Sequence, residues 1–301
     1  MFNYFLYRIG QFIASRLPLK AAYAVAVILS DIRYFFAFED NRNVKSNLRT
    51  IFPRKNVGEI RRIRIHMNRN FVRYLVDFFR FQELDGEYIK RYVRVENLQV
   101  LDQVLAQGNG CIVLTAHLGN WELGGVVLAQ LGYPLWAVAL PHKSKMVDRF
   151  FNFQRESKGL RVIPLGKAFI KCVNILKSNE VIALVGDRDF TKDGGILVDF
   201  FGKSAYLPKG PAMISLMTGA PIIPAFMIRN KVYEGFTMRF ENPVVLNGGE
   251  KPSAQNGKSS RIRKVGDEEV KKLTESCARV MEEYIKKFPE QWYMFKKFWA
   301  E

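Results

Sequence analysis

The chain has 301 residues, 48% of them apolar, and carries 46 Lys and Arg against 29 Asp and Glu, a net charge of +17. That apolar content excludes a disordered tail, and the length suits one large domain or two modest ones. The positive excess points to acidic partners: nucleic acid, anionic lipid or an acidic carrier protein.

The N-terminus, MFNYFLYRIGQFIASRLPLKAAYAVAVILSDIRYFFAF, is apolar and aromatic but is interrupted by Arg8, Arg16, Lys20, Asp31 and Arg33. In its second half the longest uncharged run, Ala21 to Ser30, falls well short of the roughly 20 residues a bilayer span requires. No signal-peptide cleavage pattern follows it. Amphipathic helices lying in a membrane interface account for this composition. Residues 1 to about 108 read as helical throughout and as a membrane-associating region, with a long amphipathic segment from Val57 to Phe81. Between Arg42 and Arg64 stand eight basic residues and one acid, Glu59. This stretch suits anionic headgroups and an acidic carrier protein equally.

From 109 to 301 the pattern changes to an α/β core with C-terminal helices. Short apolar runs at 111–116, 135–140, 161–165, 181–186, 196–201 and 222–228 read as strands. Helix-like stretches at Trp121–Leu131, Lys145–Ser157, Ala168–Leu176 and Gly210–Thr218 separate most of them. Continuous apolar strands alternating with helices predict a mostly parallel sheet covered by helices on both faces. KVYEGFTMRFENPVVL reads as strands in hairpin register, and PSAQNGKSS (252–260) as a polar, basic loop. A last long helix spans Asp267 to Lys287, and the closing PEQWYMFKKFW suits both a core and an interfacial aromatic belt.

Cys111, Cys172 and Cys277 are isolated and form neither a disulfide framework nor a zinc ribbon, as in a reducing compartment. Chemistry concentrates in CIVLTAHLGNWELGG. His117 follows a buried strand, at the carboxyl end where open α/β sheets place ligands. Asn120 is placed to cap the next helix, and Glu122 falls in its first turn. If the loop Leu118-Gly119-Asn120 folds back, the Glu122 carboxylate meets the imidazole, fixes its tautomer and raises its basicity. The other ring nitrogen then deprotonates a hydroxyl supplied by a substrate. HExxH is absent, with only His66 and His142 as further imidazoles, so no zinc site is expected. Phosphate-loop and GxSxG signatures are absent too.

HLGNWE has the histidine, four residues, acidic residue pattern of glycerolipid acyltransferases. With NRNVKSNLRTIFP, VDFFGKSAYLPKGPAMISLMTGAPIIPAFMIR and PEQWYMFKKFW in order, the chain resembles the lipid A biosynthesis acyltransferase family over nearly its whole length. The resemblance implies transfer of a fatty acyl chain from acyl carrier protein, or from acyl-CoA, to a lipid hydroxyl. The setting it implies is the cytoplasmic face of a bacterial inner membrane. His117 would act as base with Glu122 as its partner, and Asn120, Arg155 (in NFQRESKGL) and Asp187 (in VGDRDF) would line the substrate site. Arg155 would clamp a phosphate or steady an oxyanion, and Asp187 would orient Arg155 or a substrate hydroxyl. No metal or prosthetic cofactor is needed, because a thioester is already activated.

The expected partners are an acyl carrier protein, an anionic lipid surface and a glycolipid acceptor. A lipid A precursor comes first, with a phosphatidylinositol mannoside or a lysophospholipid as alternatives. A basic nucleic-acid binder lacks every recognisable module in this chain, so no specific nucleic acid is expected. A catalytically inactive lipid-binding scaffold is a further alternative, weakened by the presence of His117, Glu122, Arg155 and Asp187.

Overall fold

The computed structural model describes residues 2–189, 194–244 and 265–300, so the PSAQNGKSS segment lies outside the described residues. Helices α1 (Phe2–Arg16), α2 (Leu19–Phe36) and α3 (Phe38–Ile51) precede the 23-residue α4 (Val57–Phe79). Helix α4 begins at a capping box in which Asn56 and Glu59 satisfy each other's backbone N–H groups. Then follow α5 (Gly86–Tyr92), β1 (Val93–Glu96), α6 (Gln99–Leu105), β2 (Cys111–Thr115), α7 (Trp121–Gln130) and β3 (Leu135–Ala139). Next come α8 (Lys145–Glu156), β4 (Arg161–Pro164), α9 (Ala168–Lys177) and β5 (Val181–Val185). The chain continues with β6 (Gly195–Phe200), β7 (Lys203–Pro208), α10 (Gly210–Thr218), β8 (Ile222–Arg229), β9 (Phe236–Phe240) and α11 (Asp267–Lys287).

Among the described residues, seven strands form one sheet in the order β1-β9-β8-β2-β5-β3-β4. Strands β8, β2, β5, β3 and β4 are parallel, and β9 turns back antiparallel to β8. Alternation along β2 divides the core. Cys111 and Val113 pack with α4, α7 and α8 on one face, while Ile112 and Leu114 pack with α9, α10 and α11 on the other. A sheet buried on both faces explains why these strands are apolar without interruption.

Two expectations needed correction. The first 108 residues are not helical throughout: Val93–Glu96 is an edge strand paired in parallel with β9. Four residues with charges at Arg94 and Glu96 carry too little apolar signal to be read as a strand. The run at 196–201 does not join the main sheet but forms a separate antiparallel ribbon, β6–β7. Val198 and Phe200 are buried while Leu197 and Asp199 face out, the alternation of a strand covered on one side only.

The terminal aromatic segment belongs to the core. Trp292, Tyr293 and Met294 are buried, and Asn47 of α3 donates to the carbonyls of Met294 and Lys296, with Asn70 of α4 on that of Glu290. No single helix among the described residues is long and apolar enough to cross a membrane; α2 and α3 pass that test only as a pair bent by 89°. Their outward surfaces, and that of α1, carry exposed Phe5, Ile9, Phe12, Ile28, Phe35 and Phe36.

Helix α2 is fastened to the body by a buried polar cluster. Asp77 of α4 accepts from the Tyr23 hydroxyl, from the Arg229 guanidinium and, at 3.0 Å, from Asn120 Nδ2, and Arg229 also donates to the Tyr23 hydroxyl at 3.0 Å. Burial disfavours the Arg229 charge, but the Asp77 carboxylate outweighs it and raises the guanidinium above its ordinary range. Asp77→Ala, which strands that charge, is expected to lower unfolding free energy by about 3–5 kcal/mol. Tyr23→Phe is expected to cost only about 1 kcal/mol, and urea denaturation of the two variants compares them directly.

Candidate active site

His117 and Asp187 are placed by strand register. Strands β2 and β5 pair in parallel with Thr115 opposite Val185, so the residues two beyond each strand end also fall side by side. Asp187 is fully buried; its Oδ1 lies 2.7 Å from His117 Nδ1 and accepts from the His117 backbone N–H at 3.1 Å. Its Oδ2 accepts from the Trp292 indole at 2.9 Å. Burial pushes the carboxyl up, but His117, then Arg188 and the indole, hold it down at about 2. An ionised Asp187 accepts a hydrogen bond from Nδ1–H, which fixes the tautomer and leaves the lone pair on Nε2. The His117 side chain keeps 13% of its surface exposed, so one edge of the ring remains reachable.

The loop carrying His117 is held by the terminal segment and by β8. Tyr293 N–H donates to the His117 carbonyl at 2.9 Å, Gly119 N–H to the Gln291 carbonyl at 2.9 Å, and Asn120 N–H to the Met227 carbonyl at 2.8 Å. Gly119 has φ +64°, and a Cβ there would collide with the Met227 carbonyl oxygen, so only glycine fits the turn. Asn120 caps α7 by accepting from Leu123 N–H at 3.1 Å, and its amide is committed to Asp77. It is buried, so its place in this structure is that of a structural tie and not of an open substrate contact.

Glu122 is not placed as the sequence suggested. Both of its oxygens accept from Arg155, at 2.8 Å from Nε and 2.6 Å from the terminal nitrogen, and both residues are buried. Asp187 occupies the position on the imidazole that the spacing assigned to Glu122. Asp187 in turn orients His117 and not Arg155. Burial works against the Arg155 charge, but Glu122 outweighs it and raises the guanidinium above its ordinary range. With Nε and one terminal nitrogen on Glu122 and the other on Asn152 at 3.1 Å, Arg155 joins α8 to the first turn of α7. Arg188 donates to the Tyr293 carbonyl and braces the terminal segment.

An aromatic wall completes the site. Trp121 meets the imidazole edge-on with centroids 5.0 Å apart and stacks on Tyr74 of α4 at 4.5 Å; Tyr293 lies 6.0 Å from both. Trp121, Trp292, Tyr74 and Tyr293 were missed from the sequence. The available signal was the scarcity of tryptophan, four in the chain, with one four residues after His117 and two in the closing block.

The geometry defines a class: a parallel α/β sheet with a carboxylate-held histidine at its carboxyl edge and an ion-paired glutamate five residues on. The sequence model of the bacterial lipid A biosynthesis acyltransferases matches residues 1–301, and the chain belongs to that family. A phosphatidylinositol mannoside acyltransferase of Mycolicibacterium smegmatis is 33% identical over 52% of this chain and 52% of its own length. The chain thus spans about half the length of the mycobacterial relatives it matches. The lipid A biosynthesis palmitoleoyltransferase of Escherichia coli is 23% identical over 77% of this chain and 74% of its own. Among solved structures, the 1-acyl-sn-glycerophosphate (LPA) acyltransferase of Thermotoga maritima aligns over 89% of this chain and 98% of its own at 14% identity, TM-score 0.37.

The Asp187 carboxyl also predicts an acid limit. A group depressed from 3.8 to about 2 stabilises the fold at full strength above pH 4 and loses that contribution as pH falls toward 2. The contribution is about 2 kcal/mol. In Asp187→Asn, the fall in unfolding free energy between pH 4 and 2 is expected to be shallower by that amount.

Proposed function

We propose that this chain transfers a fatty acyl group from a thioester of acyl carrier protein, or of coenzyme A, to a hydroxyl of a glycolipid at a membrane surface. The observation that carries the reading is the His117 Nδ1–Asp187 contact at 2.7 Å, made at the carboxyl edge of the sheet. Membership of a family described as lipid A biosynthesis acyltransferases supports the reaction class.

In this reading, Nε2 of His117 removes the proton of the acceptor hydroxyl as its oxygen attacks the thioester carbonyl. The C–O bond forms, the C–S bond breaks, and the imidazolium returns the proton to the departing thiolate. Asp187 holds the tautomer and stabilises the imidazolium, as a carboxylate does in a serine-protease triad. Glu122 and Arg155 act as one unit that fixes the start of α7, and with it Trp121, against α8. The net charge of +17 supports an acidic carrier protein and an anionic membrane as partners. The exposed phenylalanines and isoleucines of α1 and α2 support an interfacial position, at the cytoplasmic face of a bacterial inner membrane.

For the acceptor, a lipid A precursor and a phosphatidylinositol mannoside are the two readings that relatives favour. The first follows the family and the broader alignment, the second the higher identity over half the chain. Mass spectrometry of purified protein in detergent micelles tests both. The assay contains acyl carrier protein thioesters and either a lipid A precursor, a phosphatidylinositol mannoside or a lysophospholipid. One acyl chain is expected to be added to one acceptor. His117→Ala and Asp187→Asn are expected to lose about 10²–10⁴ of that rate. Equal rates in His117→Ala and wild type would overturn the mechanism.

A further inference from the structure

Helices α2 and α4 pack with their polar residues in a ladder of three rungs. Helix α4 presents Arg69, Arg73 and Asp77 at four-residue spacing, hence on one face. Helix α2 presents Tyr23, Val27 and Asp31 at the same spacing, running the opposite way. The outer rungs are closed. Arg69 donates twice to Asp31, at 2.8 and 2.7 Å, and Asp77 accepts from Tyr23 and Arg229.

This register sets Arg73, in the middle rung, against Val27. Among the described residues no carboxylate pairs with Arg73. One terminal nitrogen donates to Asn70 Oδ1 at 3.0 Å, while Nε is buried and has no hydrogen-bond partner. Burial, reinforced by the nearby Arg229 charge, lowers the proton affinity of this guanidinium. The acids that neutralise its neighbours, Asp31 and Asp77, are already engaged by Arg69 and Arg229. At the Tyr23 end of the ladder a second cation, Lys20, lies with Nζ 5.6 Å over the Tyr233 ring, which stacks on Tyr23 at 5.8 Å. A partly buried guanidinium without a counter-charge is costly, and an anion from outside the chain relieves that cost.

We propose that Arg73 is a subsite for the phosphate of a lipid headgroup, so that bound lipid supplies the counter-charge missing from the middle rung. Its place in the fold fits such a ligand. Asp77, one turn further along the same face of α4, holds Asn120 in the loop that carries His117. On α2, Ile28 and Leu29 beside Val27 are both 59% exposed, giving an apolar surface for acyl chains next to the phosphate. The phosphate belongs either to the acceptor or to a neighbouring lipid. Assigning it to the acceptor rests on the acyl-transfer reading, whereas phosphate binding itself does not.

The full-length protein is tested first without turnover, by binding of dodecyl phosphate against dodecyl maltoside, read as the shift in thermal unfolding. Arg73→Gln is expected to bind dodecyl phosphate about tenfold more weakly than wild type, and Arg73→Lys to keep part of the affinity. Val27→Glu, which places a carboxylate in the rung, is expected to weaken binding as much without loss of folding. Arg73→Gln and Val27→Glu binding like wild type would overturn the proposal. Kinetics in neutral micelles then separate the sources. A rise in KM for a phosphorylated glycolipid, with the loss carried by KM and not kcat, assigns the site to the acceptor. An unchanged KM with lost stimulation by phosphatidylglycerol assigns it to a neighbouring lipid; neither change overturns a role in the reaction. Failure of the acyl-transfer reading shows separately, as absence of product in wild type.

Discussion

The site depends on the hydrogen-bond register between β2 and β5. Thr115 lies opposite Val185, and because parallel strands keep their offset, the chain positions two residues further on also meet. A histidine and an aspartate 70 positions apart in sequence thereby become partners at 2.7 Å. A one-residue slip of either strand would bury its side chains on the wrong face. The division of the core between Cys111/Val113 and Ile112/Leu114 thus also protects the His117–Asp187 pair.

Around that pair the protein uses distant segments as clamps. The last residues of the chain lay Trp292 on Asp187 and a backbone N–H on His117. Asn43, Asn47 and Asn70 hold the same segment from α3 and α4 through their side-chain amides. NRNVKSNLRTIFP and PEQWYMFKKFW, at residues 41–53 and 289–299, are thus two halves of one contact. Together they fix the loop that carries His117.

The N-terminal helices join this arrangement through charge. Buried ionic groups are stable only when paired, and Asp77 is shared by Tyr23 of α2, Arg229 at the end of β8 and Asn120 at the start of α7. One carboxylate therefore ties the helices with exposed apolar surfaces to the sheet edge that holds the imidazole. The orientation of α2 and the conformation of the His117 loop thus share a partner.

By itself the sequence determined the layers of the fold and pointed to the loop after β2 as the candidate site. Period and apolarity marked most strands and helices, because a sheet covered on both faces demands uninterrupted apolar runs. The strand ending at His117, the cap at Asn120 and the bounds of Asp267–Lys287 are local features, legible from nearby residues. What only the tertiary structure decided was pairing. Glu122 stands five residues from His117, but its carboxylate meets Arg155, and the distant Asp187 takes the imidazole. The edge strand Val93–Glu96 and the separation of the β6–β7 ribbon were likewise settled by neighbours. Spacing along a chain constrains contacts within a helix or a tight turn. Across a sheet, strand order and register decide which carboxylate reaches which ring, and both follow from how the whole core packs.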